Sequence, residues 1–236
     1  MRTRVSSELV RKQIDIWERE KLHKKRLETT EDAPYFPVVT VSRQMGTGGV
    51  SIAEFVAKKL NFRLFDREII EFIAERADIR KSAVETIDEG VHSIVEEYLH
   101  SFMGKEGFSA SEYLRHLTEV ILVTAGHGKT VIIGRGAHLL IKNRPLLRVR
   151  IVCPLATRIR SLAERENHTL KKSEEIIKKR DVERASFIKK NFQRDIDDAT
   201  SYDLVVNTDK IAFEQAADII VCAYRNLFGD KGVALS

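Results

Sequence analysis

Three glycines crowd into four positions, Gly46, Gly48 and Gly49 around Thr47, directly after the run Val38-Val39-Thr40-Val41-Ser42. Such a loop can turn consecutive backbone N–H groups inward, and a helix pattern beginning near Ser51 adds the positive end of its dipole. Strand, glycine loop and helix in that order make a cradle for phosphate. The spacing of a Gly-x4-Gly-Lys-Ser/Thr loop can be laid over it, but three of the expected residues are missing. Arg43 stands at the first glycine, Gly49 at the lysine and Val50 at the hydroxyl. The backbone from Gly46 through Thr47, Gly48 and Gly49 to Val50 can still hold phosphate, Arg43 can add charge, and Ser51 offers a hydroxyl to Mg2+.

Other candidate groups lie far along the chain. Arg135 sits between Gly134 and Gly136 after an apolar run, and flanking glycines allow a ligand to come close; the alternative is an ion pair at a strand end. Asp66 and Arg67 follow a short strand pattern, where Asp66 either caps the next helix or meets a substrate. Arg180 and Arg184 belong to a long charged helix, either clamping phosphate or facing water. Arginines and backbone amides suit phosphoryl transfer, which needs charge neutralisation and positioning more than covalent help.

The elements that must position these groups alternate. Strand patterns cover 38–42, 61–66, 129–134, 146–153 and 202–207. Helix patterns cover 51–60, 67–77, 82–89, 91–103, 109–125, 137–142, 155–165, 170–191 and 211–227. This alternation predicts an α/β fold with a parallel sheet and right-handed crossovers. Ligands of such sheets bind beyond the carboxyl ends of the strands, which is where the glycine loop, Asp66 and Arg135 all fall. Ahead of the core, residues 7–28 read as an amphipathic helix with a thin apolar stripe, and 31–37, with Pro34 and Pro37, as a linker. That helix either docks on its own domain or pairs in a homodimer; its interspersed acidic residues argue against a nucleic-acid arm. Residues 229–236 form a tail.

The 236 residues, 43% hydrophobic and 32% charged, suit one sizeable globular domain with appendages. A net charge of +5 is compatible with a nucleic-acid binder or with an enzyme that handles several phosphates. No apolar run approaches the roughly 20 residues of a membrane span. The charged start and the two separated cysteines, Cys153 and Cys222, both in apolar segments, point to a cytoplasmic protein with buried thiols. His92, His100, His116 and His127 lack metal-ligand spacing.

Six blocks in order carry a family resemblance: 42–49, 64–70, 131–137, Pro154-Leu155-Ala156-Thr157-Arg158, 179–184 and 202–208. From about residue 38 to 226 the chain resembles the cytidylate kinase-like proteins, a branch of the nucleoside monophosphate kinases in the P-loop class. The resemblance implies a P-loop three-layer fold with a five-stranded parallel sheet flanked by helices. It implies a kinase-like domain over 34–228, a helical lid over about 168–195 and an N-terminal helical extension and linker over 1–33. It further implies transfer of the ATP γ-phosphoryl, with Mg2+, to CMP or a related nucleotide. Asp66 and Arg67 fall where such kinases bind the acceptor, Arg135 on the arginine gripping its phosphate, and Arg158 near the donor base. Arg180 and Arg184 fall on the lid arginines that close over the transferring phosphate. The departures at Gly49 and Val50 keep a second reading open, a nucleotide-binding regulatory module of the same fold that has lost efficient transfer.

Overall fold

The computed structural model describes residues 10–19, 37–87, 112–142 and 145–229. The expected helix over 91–103, the Gly104 and Gly107 break, His92, His100, residues 31–36 of the linker and the tail beyond Gly229 lie outside them. The chain divides into two compact units, one of residues 1–36 and 65–128, the other of 37–64 and 129–236.

The second unit is built on a sheet. Val38–Arg43 (β1), Arg63–Phe65 (β2), Thr130–Ile133 (β3), Leu146–Val152 (β4) and Leu204–Asn207 (β5) lie in the order β2-β3-β1-β4-β5, the chain of β2 passing into the first unit at Phe65. The pairings β1–β3, β1–β4 and β4–β5 are all parallel. Parallel strands covered on both faces need near-continuous β-branched and aliphatic runs, which β1 and β3 supply. Val39 and Val41 of β1, Val131 and Ile133 of β3, and Val149 and Ile151 of β4 share one apolar cluster. Gly49–Leu60 (α2) and Phe213–Phe228 (the last helix, α9) pack into it through Ile52, Val56 and Leu60, and through Ile220 and Tyr224. Residues of opposite parity, Thr40, Ser42 and Arg150, point to the other face, as the period of two in a strand requires. The remaining helices of this unit are Ala137–Leu140 (α6), Leu155–Glu166 (α7) and Leu170–Phe192 (α8).

The first unit is helical: residues 10–19 (α1), Arg67–Glu75 (α3), Ala77–Glu85 (α4) and Glu112–Gly126 (α5). The helix expected over 67–77 stops two residues early at Arg76, an extended residue that also starts α4, so the pattern expected over 82–89 begins instead at 77. Val10, Ile14 and Trp17 of α1 are buried, whereas Ile16 is exposed. The Trp17 indole stacks on Phe65 at 5.5 Å and on the His127 ring at 4.2 Å. The Thr86 hydroxyl gives its one proton to the Ala83 carbonyl, so His127 Nε2, 2.8 Å away, donates to it. Trp17→Ala should cost about 3 to 5 kcal/mol in chemical denaturation, the usual loss for a large buried aromatic.

Of the two cysteines, Cys153 is buried but Cys222 is exposed, contrary to expectation. The buried stripe of α9 runs through Ala216, Ala217, Ile220, Val221 and Tyr224, which leaves position 222 on the outer side. No helix among the described residues is long and apolar enough to cross a membrane.

Candidate active site

The glycine loop leaves β1 at its carboxyl end and enters α2 two residues earlier than the sequence pattern suggests. Gly46 and Gly48 take left-handed φ values of 87° and 74°, and Gly48 serves as N-cap without any side-chain hydrogen bond. The first amides of α2 therefore stay with the loop rather than being closed off by a cap. Several side chains hold the loop from outside. Gln44 N donates to Ile151 O, while Gln44 Oε1 accepts from Cys153 N at 3.0 Å. The buried Thr47 hydroxyl donates to Gln44 O, and Thr208 Oγ1 donates to Thr47 O at 3.3 Å. Val50 and Ser51 occupy the first turn of α2, both half-buried.

Arg158, on α7, is 7% exposed. Its Nε donates to Cys153 O at 2.9 Å and its Nη1 to Met45 O at 3.1 Å and to Asp181. This guanidinium is committed to two loop carbonyls and to Asp181. Asp181 in turn accepts from Met45 N at 2.8 Å, so α8 is stapled to the loop through a carboxylate that the sequence reading did not single out. One turn along, Arg184 Nη1 donates to Arg43 O at 3.1 Å, and Nη2 lies 3.9 Å from Met45 Sδ. Arg180 points elsewhere: it is exposed and pairs with Glu183 at 2.8 Å. The signal that separates the two was present in the helical period. Ile177 and Ile188 are the buried residues of this stretch, and Asp181 and Arg184 fall between them at steps of four, three and four.

Arg135 follows β3 in a turn where three successive residues have positive φ, 79°, 52° and 72°. Glycine accepts this conformation freely, whereas an arginine there is strained. Its guanidinium carbon lies 4.9 Å from the centre of the Phe187 ring on α8, a cation–π contact. A Cβ on Gly136 would sit 2.4 Å from Phe192 Cε2, so the same helix packs closely on the turn. One helix thus touches both the glycine loop and the Arg135 turn, through Asp181 and Arg184 at one and Phe187 and Phe192 at the other.

Asp66 and Arg67 belong to the helical unit. Asp66 Oδ1 caps α3 by accepting from Ile69 N at 2.9 Å, and Arg67 pairs with Glu71 at 3.0 Å. Among the described residues no group of three or more His, Cys, Asp or Glu could hold a metal.

Behind the loop lies a polar cluster that the sequence did not disclose. Arg150, 4% exposed, donates to Ser42 Oγ at 2.8 Å and to Asp197 at 2.6 Å. The Tyr202 hydroxyl bonds to Ile196 O and to Ser42 Oγ, and burial pushes its pKa up. The His138 ring stacks on Tyr202 at 4.8 Å. Burial, followed by the charges of Arg150 and Arg148, pushes its pKa from 6.5 down to about 4. Below pH 6.5 the unfolded chain therefore takes up a proton that the folded chain refuses until about pH 4. Stability contributed by neutral His138 is complete above pH 6.5 and falls away as the pH drops towards 4, by about 3 kcal/mol in total. His138→Gln should flatten the fall in unfolding free energy between pH 7 and pH 4, as measured by urea titration at each pH.

The sequence profile of the cytidylate kinase-like family matches residues 38–210. A cytidylate kinase of Methanocaldococcus jannaschii is 27% identical over 203 residues, 80% of this chain and 98% of the relative. A cytidylate kinase of Staphylothermus marinus is 33% identical over 94 residues, 39% of this chain and 52% of the relative. An uncharacterized protein from Eubacterium ventriosum shares the fold with a TM-score of 0.65 at 20% identity, covering 82% of this chain and 99% of that one. The profile match runs from the first residue of β1 to beyond the last residue of β5, and the chain belongs to the cytidylate kinase-like family.

Proposed function

We propose that the protein is a nucleoside monophosphate kinase that moves the γ-phosphoryl of Mg-ATP to CMP or a related nucleotide. The observation that carries this reading is the double contact of α8, which reaches the glycine loop through Arg184 and the Arg135 turn through Phe187. Transfer between two phosphates needs both held, with water excluded, and a helix bridging the two elements is built to close over them. Family membership supports a phosphotransferase of this general class.

In this mechanism the loop amides from Gly46 to Val50, with the N-terminus of α2, hold the donor phosphates. Arg135 grips the acceptor phosphate with paired hydrogen bonds, and Arg184, already seated on the loop rim, neutralises charge that develops during transfer. Arg180 joins only if α8 moves or turns, since it now pairs with Glu183. Arg158 keeps the loop in shape. Mg2+ arrives with the nucleotide and, when bound, neutralises phosphate charge; the Ser51 hydroxyl on the first turn of α2 is the side-chain oxygen offered to it. For Asp66 and Arg67 a role toward the acceptor rests on the family resemblance alone, and Asp66→Asn is its test: an unchanged KM for the acceptor removes Asp66 from that role.

ADP release measured with Mg-ATP and each of CMP, UMP, AMP and GMP tests the reading. Release above the ATP-only background, highest with CMP, is expected. Thermal stabilisation by ATP without release for any acceptor would favour the regulatory module, for which the glycine at position 49 is the supporting observation.

A further inference from the structure

The loop lacks a lysine where phosphate-binding loops of its spacing carry one, and the structure accounts for the absence in steric terms. A Cβ placed on Gly49 would sit 2.7 Å from Arg43 Cβ and 2.8 Å from Arg43 Cγ. Those atoms are the root of the arginine stem, fixed to the end of β1, so they cannot swing aside as a side-chain tip can. Any side chain at position 49 would have to start in space that Arg43 already fills. Nor does backbone conformation demand glycine there, since Gly49 is not among the residues with positive φ. The stem of Arg43 continues across the loop, and its Nη1 would lie 2.4 Å from a Cβ on Gly134. Gly134 is the first residue after β3 and immediately precedes Arg135.

The geometry points to an exchange of positions: Arg43, at the first residue of the loop, takes the place of the missing lysine as the cation that binds the donor phosphates. This rests on the kinase reading above and names the residue that does the work there. Position 43 supplies the charge, so position 49 must be bare. Gly134 is glycine for its own φ of 79°, and the absence of a side chain there lets the guanidinium lie against it. Arginine brings a planar fork in place of a single ammonium, and lies beside the strand end that carries Arg135. Gly49 and Gly134 both meet the one arginine, though they lie six and ninety-one residues from it along the chain. Arg184 does not take this role, because it reaches the loop at the carbonyl of Arg43 and at the Met45 sulfur.

The test is calorimetric titration of the full chain with a non-hydrolysable ATP analogue and Mg2+, which reads binding without turnover. Arg43→Met keeps the stem that packs on Gly49 and removes the charge, so the fold is retained. Its Kd should rise by about tenfold or more, the usual loss of a charged hydrogen-bond donor. Gly49→Ala in the natural background should weaken binding by displacing the arginine. In an Arg43→Gly background the same alanine should cost nothing, and Gly49→Lys there should recover about tenfold or more of the affinity lost with Arg43. If the natural protein binds the analogue and Arg43→Met binds within about twofold of it, Arg43 does not hold the donor and the exchange is wrong while the kinase reading stands. An alanine at 49 that costs as much without Arg43 as with it overturns the exchange as well. If the natural protein itself fails to bind the analogue, the kinase reading falls and takes the exchange with it.

Discussion

Arg135→Ala is expected to lower kcat by about 100-fold or more, the scale of removing one charged donor from a phosphoryl or acyl transition state. The effect should fall on kcat and on the acceptor's KM, and leave the KM for ATP nearly unchanged. Three observations set this expectation. The residue keeps a left-handed φ of 52°, in which a non-glycine side chain is strained, and the glycines on either side bring the Arg43 guanidinium and the Phe192 ring against the turn. Its guanidinium is oriented by the Phe187 ring of α8 rather than left to wander. Arg135→Lys should restore only part of the rate, since an ammonium cannot form paired bonds to one phosphate. Arg135→Gly gives an independent sign: it removes the function and relieves the strain, so the variant should unfold at higher denaturant than Arg135→Ala. Equal turnover by Arg135→Ala and the natural protein would remove Arg135 from the mechanism.

Gly48→Ala is the second large effect. The residue sits at φ 74°, and a side chain there costs about 1 to 2 kcal/mol from backbone strain alone. An added Cβ would also lie 2.2 Å from Phe213 Cζ, and that ring packs against the sheet core. Either the ring or the loop must shift, and in the proposed function it is the loop that directs its amides at phosphate. Binding of the ATP analogue should fall by about tenfold or more, with a lower unfolding midpoint. The double variant Gly48→Ala with Phe213→Ala separates the causes: the steric part of the loss should disappear and the strain part should remain. A Gly48→Ala protein that binds as the natural one does would mean that the loop conformation is not what holds the nucleotide.

Most of the architecture was legible because buried parallel strands have little choice of composition. The Val38-Val39-Thr40-Val41 and Thr130-Val131-Ile132-Ile133 runs announce themselves, and their ends fall within a residue or two of expectation. The break at Arg76 was not legible, since no glycine or proline marks it; the chain simply turns extended there, with the Arg76 guanidinium folded back over the Phe72 ring. In the site, glycine spacing revealed the loop, but a glycine says nothing about what its missing side chain makes room for. The relation of Gly49 to Arg43, of Gly48 to Phe213 and of Gly136 to Phe192 exists only in three dimensions. Asp181 was hidden for a different reason. A carboxylate in a basic run reads as an intrahelical partner, whereas its bond to Met45 N spans 136 residues. Arg180 and Arg184, the arginines expected on a lid, are separated only by the helical period: the buried stripe of α8 carries Arg184 to the loop and leaves Arg180 with Glu183. The cluster of Arg150, Ser42, Tyr202 and His138 was invisible, because a buried arginine in a strand runs against the usual exclusion of charge.

In the proposed function, phosphate passes from ATP to a nucleoside monophosphate. Incubating the protein with Mg2+, CMP and ATP labelled in the γ-phosphate, then separating the nucleotides, follows that transfer itself. Label is expected in the nucleoside diphosphate, dependent on acceptor and lost in Arg135→Ala. Label confined to ATP and free phosphate for every monophosphate tried, from protein that binds the ATP analogue, would contradict it.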